Sequence, residues 1–281
     1  MCRALDLDPR APDILKDLVN VPWESITKVI DTEVLGPYGT FRGCLADDWI
    51  SVKPGPMAWQ RSGELGRGLL AHGVKCVVIG DLTEEWYLYS IAHPIEGPQD
   101  ILPNLERYFP TDVARNLIKG FRPPLADPEE AVKLFGEILS CGQVHLPIRI
   151  FAKDMAASGF PVLRYEIRWT PEQNRIAGKV TVPRRYFLKY IYILFSGYIT
   201  HGTDRVLWAL RIPKLERDQV EVAKRWLNEV AEEVNELIYG HPGSTRRDVR
   251  EMLTLKEDRS IGWTKDEKWD ALMKLEKVLV S

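Results

Sequence analysis

Apolar positions along the 281-residue chain fall into two periods. Val74-Lys75-Cys76-Val77-Val78-Ile79-Gly80 is short, rich in β-branched residues and closed by glycine, which predicts a buried strand. Residues 162–169 alternate: Leu163, Tyr165, Ile167 and Trp169 share one face, and Arg164, Glu166 and Arg168 share the other. That pattern predicts a strand with one apolar and one polar face. Helical spacing is strongest over 215–239, where Val220, Ala223, Trp226, Leu227, Val230, Val234 and Leu237 recur on one side before Gly240. Weaker helical signals cover 12–30, with Pro22 opening a second helix, 64–72 before Gly73, and parts of 98–120. Two more follow, one over 128–139 with Asp127 as N-cap, one from Pro147 to about Ser158 before Gly159. Residues 36–63 are dense in Gly and Pro and read as a long irregular stretch, whereas 241–281 reads as a charged helical tail. Strands interleaved with helices predict an α/β class.

Composition narrows the function. With 38 Lys+Arg and 40 Asp+Glu the formal charge is −2, which argues against sequence-independent nucleic-acid binding, since that needs a basic surface. No apolar run approaches the roughly 18 residues of a membrane-spanning helix. Met1 to Asp6 lacks the apolar core of a signal peptide, and no N-x-[ST] site occurs, so a reducing, cytoplasmic setting is expected. Cys2, Cys44, Cys76 and Cys141 form no C-x-x-C pair, and His72, His93, His145, His201 and His241 form no H-x-x-x-H pair. No metal site and no cofactor are expected. The run Gly63-x-x-Gly66-x-Gly68 has the wrong order for a dinucleotide fingerprint and precedes its strand.

Candidate chemistry sits in two places. Asp81, Glu84 and Glu85 directly follow the 74–80 strand, on the edge where α/β sheets keep their reactive groups. His201 stands between Gly197-Tyr198-Ile199-Thr200 and Gly202-Thr203-Asp204, a glycine-flanked turn downstream of the 162–169 strand.

These two segments resemble the C-terminal half of type-B carboxylesterases and lipases, the α/β-hydrolases that include the cholinesterases. Gly80-Asp81-Leu82-Thr83-Glu84-Glu85-Trp86 is similar to the family's G-x-x-x-D-E-G, with Glu85 at the acid position. Thr200-His201-Gly202-Thr203-Asp204 is similar to H-G-x-E. Pro161 to Ile167 resembles the strand before that loop, and Val144-His145-Leu146-Pro147 resembles the start of a helix with Pro in its first turn. The likeness covers roughly residues 30–240, and 74–93 is nearest to fungal members. It departs at Trp86, where the family has Gly, and at Asp204, where it has Glu.

The resemblance implies an incomplete α/β-hydrolase domain spanning 1–281 and a carboxylic-ester hydrolase using a Ser-Glu-His triad. His201 would be the base and Glu85 its acid, with Asp81 and Glu84 as alternatives for the acid. A small-molecule ester would be the substrate. The nucleophile is missing: no G-x-S-x-G occurs in the 281 residues, nor the oxyanion Gly-Gly pair. Ser158 and Ser196, each before a Gly, have no elbow context. The chain therefore reads as an esterase half that is inactive alone, or as a non-catalytic half-domain serving as a binding or regulatory module. Residues 177–196 add an anomaly, with Lys179, Arg184, Arg185 and Lys189, five aromatics and no acid. They read as a native insertion, a translated intron or a basic aromatic patch for lipid.

Overall fold

The computed structural model describes residues 1–34, 55–122, 127–175, 197–240 and 247–280. The 177–196 insertion lies outside the described residues, as does most of the Gly/Pro-rich stretch. The fold is mixed α/β: thirteen α-helices among the described residues surround one four-stranded sheet. Helices α1 (Ile14–Val19), α2 (Trp23–Val29), α3 (Pro56–Arg61) and α4 (Glu64–Ala71) precede β1 (Val77–Leu82). Then come α5 (Trp86–Ile91), α6 (Ile101–Leu105), α7 (Thr111–Lys119), α8 (Pro128–Ser140) and α9 (Leu146–Ala157). Strand β2 (Val162–Ile167) follows, then α10 (Arg205–Trp208) and α11 (Arg217–Tyr239). The chain ends with β3 (Glu251–Leu255), β4 (Ile261–Lys265), α12 (Trp269–Met273) and α13 (Glu276–Val280).

The strand order is β1-β2-β3-β4, with β1 and β3 parallel to β2 and β4 antiparallel to β3. Asp81 is level with Glu166 and Leu82 with Ile167, so the loops after β1 and β2 leave the sheet at one edge.

The two faces of the sheet are built differently. On one, Leu82, Leu163, Ile167, Leu253 and Leu255 pack against Ala223, Trp226 and Val230 of α11 and Leu207 of α10. Tyr165, Trp208 and Trp226 meet edge to face with ring centroids 5.0–6.0 Å apart. On the other, the predicted polar face of β2 does not reach water: Arg164 is 2% exposed and Glu166 4%. Parallel sheets are covered on both sides, and α9 covers this one by meeting charge with charge. Arg149 of α9 bonds Asp81 Oδ2 (2.9 Å) and Asp266 Oδ1 (2.9 Å), and Arg164 bonds Asp266 Oδ2 (2.6 Å).

Two local readings need correction. Strand β1 starts later and runs further than its apolar pattern, taking in Asp81 and Leu82, so Asp81 is a strand residue facing α9 and not a loop residue. The described part of 241–281, residues 247–280, is not a helical tail but a strand pair followed by two short helices. Within it β3 and β4 form a hairpin, because its charges gather in the turn at 256–260 while Met252, Leu253 and Leu255 are buried against β2.

Helices α8 and α9 are one run interrupted by a π-helical turn, Cys141–His145, in which Leu146 N–H bonds Cys141 O five residues back. Pro147 explains the break: it has no N–H, and its ring crowds the carbonyl four residues earlier. The turn ends on His145. Further along, α5 lies close on α8 because a Cβ on Gly136 would stand 2.3 Å from Trp86 O. That packing fixes the start of α5, one residue beyond Glu85.

Candidate active site

Glu85 lies where β1 turns into α5, and its side chain is 2% exposed. It folds back over its own strand: Oε1 accepts the N–H of Leu82 (3.2 Å), and Oε2 lies 3.1 Å from His201 Nδ1. The imidazole of His201 is 56% exposed, so its carboxylate side is buried and its other edge faces solvent.

The loop that carries His201 is fastened to the Glu85 turn by four hydrogen bonds. Glu84 N–H donates to Ile199 O (3.0 Å), and Ile199 N–H donates to Glu84 Oε2 (2.8 Å). Thr200 Oγ1, fully buried, donates to Glu85 O (3.2 Å) and accepts from Leu88 N–H (3.1 Å). Tyr198 stacks on Tyr87 at 3.9 Å and meets Trp86 edge on at 5.3 Å. Beyond His201 the chain turns through Gly202 at φ +81°, a backbone region that L side chains rarely adopt, and Thr203 Oγ1 closes the turn on Thr200 O (2.7 Å). The aromatic residue at Trp86 thus builds the platform under the histidine loop.

The three acids of this turn have three partners. Asp81 accepts from His145 Nδ1 (2.6 Å) and from Arg149. Glu84 caps Ile199. Among the three, Glu85 reaches His201. Asp204 accepts instead from Trp208 Nε1 (2.9 Å). Ser158 ends α9 at the opposite end of β2 and donates to Met155 O (2.8 Å), about 20 Å from the His201 edge at strand rise. Ser196 is outside the described residues.

Electrostatics separates the carboxylates further. Burial pushes Glu85 above the usual carboxylate range and Asp81's charge adds to this, while His201, His145 and the Leu82 N–H oppose it. Burial acts on Asp81 too, but the His145 and Arg149 cations and hydrogen bonds outweigh it and hold Asp81 well below that range. Tyr89, whose ring lies 6.4 Å from that of His201, is pushed up to about 12 by burial and then by Glu85 and Tyr108.

The chain is distantly similar to an esterase/lipase. That relative is an uncharacterised esterase/lipase of Schizosaccharomyces pombe, 23% identical over 241 residues, covering 82% of this chain. The match takes in 41% of the relative, so the chain spans less than half of that protein's length. No family model matches. Among the described residues no three His, Cys, Asp or Glu are grouped to hold a metal ion, and no helix is long and apolar enough to cross a membrane.

Sequence reading missed how far Asp81 and His145 are drawn into a buried ion network with Arg149, Asp266 and Arg164. A signal was present: His145 and Arg149 are four apart on one helical face, and Arg164 and Glu166 put charge on a strand of an α/β sheet, whose faces are both covered.

Proposed function

We propose that this chain is the acid–base half of a serine carboxylesterase or lipase of the type-B, cholinesterase-like group, an incomplete α/β-hydrolase domain. The observation that carries this reading is the Glu85–His201 contact at the shared edge of two parallel strands, with the imidazole's far side open. Nδ1–H bonded to a buried carboxylate leaves Nε2 bare to take a proton. In acyl transfer, His201 would remove the proton of a serine hydroxyl and later give it to the leaving alcohol. Glu85 would hold the tautomer and stabilise the imidazolium. The serine and oxyanion donors must come from polypeptide outside these 281 residues. The 23% identity to a longer esterase/lipase supports that arrangement.

The chain alone is expected to show neither ester turnover above imidazole background nor labelling by a fluorophosphonate. Transcript sequencing upstream of Met1 tests the rest. An in-frame segment with G-x-S-x-G should give a product that labels on one Ser and loses about 10⁴-fold in kcat on Glu85→Gln or His201→Ala. A product that labels but keeps its activity in both variants would overturn the assignment. The absence of any such segment would favour the binding-module reading.

A further inference from the structure

Behind Glu85 lies a second carboxylate–imidazole pair that the acyl-transfer scheme does not use. Asp81 and Glu85 share one turn at the end of β1, joined through Leu82, whose N–H binds Glu85. Both carboxylates are 2% exposed. Two buried anions this close disfavour each other's charge. In the network that runs from Asp81 through Arg149 and Asp266 to Arg164, with Glu85 beside it, three carboxylates face two guanidiniums. Asp81 Oδ1 is buried with no hydrogen-bond partner among the described residues, so Asp81 rests on what Oδ2 meets. Buried charge left unbalanced is costly. The nearest group able to supply the missing positive charge from the buried side is His145, 12% exposed, with Nδ1 2.6 Å from Asp81. Its position is fixed, since Arg149 donates to its carbonyl (2.8 Å) across the π-helical turn.

We propose that His145 is a positioning residue for the Glu85–His201 pair: its proton balances Asp81 and so keeps Glu85 ionised and bound to His201. The inference rests on reading Glu85–His201 as the acid–base pair. The groups facing Glu85 are Asp81 from β1, His145 from the π-helical turn, His201 from its loop, Tyr89 from α5 and Tyr165 from β2. Arg149 of α9 faces Asp81. Loss of the His145 proton would leave one more negative than positive charge in this network, and Glu85, whose carboxyl burial already pushes up, is the carboxylate that takes up a proton. A protonated Glu85 cannot stabilise an imidazolium at His201. Esterase action would then depend on a histidine that never touches substrate.

The test is a titration of the Glu85 carboxyl carbon by NMR in the full chain with ¹³C-labelled glutamate, assigned with Glu85→Gln. His145→Gln keeps a donor for Asp81 and removes the charge. It should raise the Glu85 midpoint by roughly half a pH unit or more; an unmoved midpoint overturns the proposal. His201→Gln, measured alongside, should also raise it. If His145→Gln shifts Glu85 and His201→Gln does not, the acid–base pair fails while the His145 coupling stands. Should His145→Gln unfold, His201→Gln decides. Coupling gives a Glu85 curve in that variant with a second step that coincides with the change in the His145 ring resonances, and a single step there contradicts the proposal.

Discussion

Two carboxylate–imidazole pairs sit one turn apart in this protein, and they are opposites. Asp81–His145 is the shorter, at 2.6 Å, and both side chains are nearly out of solvent. Glu85–His201 is longer, at 3.1 Å, and its imidazole is more than half exposed. By distance alone the first would be the better catalytic pair. Yet its carboxylate is shared with Arg149, and its histidine is held in a helical turn. Among the described residues the second carboxylate meets no cation beyond imidazoles, and its histidine presents an exposed edge to solvent. On the proposed function, what marks the acid–base pair is what else the carboxylate holds and what the far nitrogen can reach.

The difference can be pushed hardest at Arg149. Arg149→Met leaves Asp81 and Asp266 buried with one cation between them, and should cost about 3–5 kcal/mol in chemical denaturation. A loss under 1 kcal/mol would mean that the network is not holding α9 to the sheet.

The two acids should then respond to pH with opposite signs. Asp81 is depressed in the fold, so its stabilisation is full above the unfolded value near 3.9 and is lost as pH falls through the folded value. Asp81→Asn should cost about 1.5–3 kcal/mol at pH 7, a gap that closes in strong acid. Glu85 is raised, so the native state binds the extra proton and stability falls as pH climbs from about 4.3 through the folded value. Glu85→Gln should be more stable than wild type at pH 7 and level with it near pH 4. Thermal unfolding across pH 2–8 reads both, and equal signs would erase the distinction. The smallest effect belongs to His201→Ala, within about 0.5 kcal/mol of wild type, because the ring is largely in water.

Much of this was legible in the sequence. Alternation over 162–169 marks β2 because Leu163, Tyr165, Ile167 and Trp169 join the apolar cluster that includes α10 and α11, and helical spacing marks α11 for the same reason. An acidic turn after β1 and a glycine-flanked His201 were legible in the residues themselves, while the choice of Glu85 among Asp81, Glu84 and Glu85 rested on the resemblance to the esterase family. The hairpin at 251–265 was hidden because its turn is so charged that composition overrode a four-residue alternation. The buried face of β2 was hidden as well. Arg164 reads as solvent-facing until Asp266, 102 residues away, is brought to it, and Glu166 until Arg168 folds over it.

If the buried Glu85 carboxylate orients His201 as a base, the tautomer of the His201 ring reveals it. Long-range ¹H–¹⁵N correlation of the neutral imidazole should find the proton on Nδ1 and Nε2 bare, with the proton moving to Nε2 in Glu85→Ala. A wild-type ring carrying its proton on Nε2 would contradict the account, since Glu85 would then not be holding it.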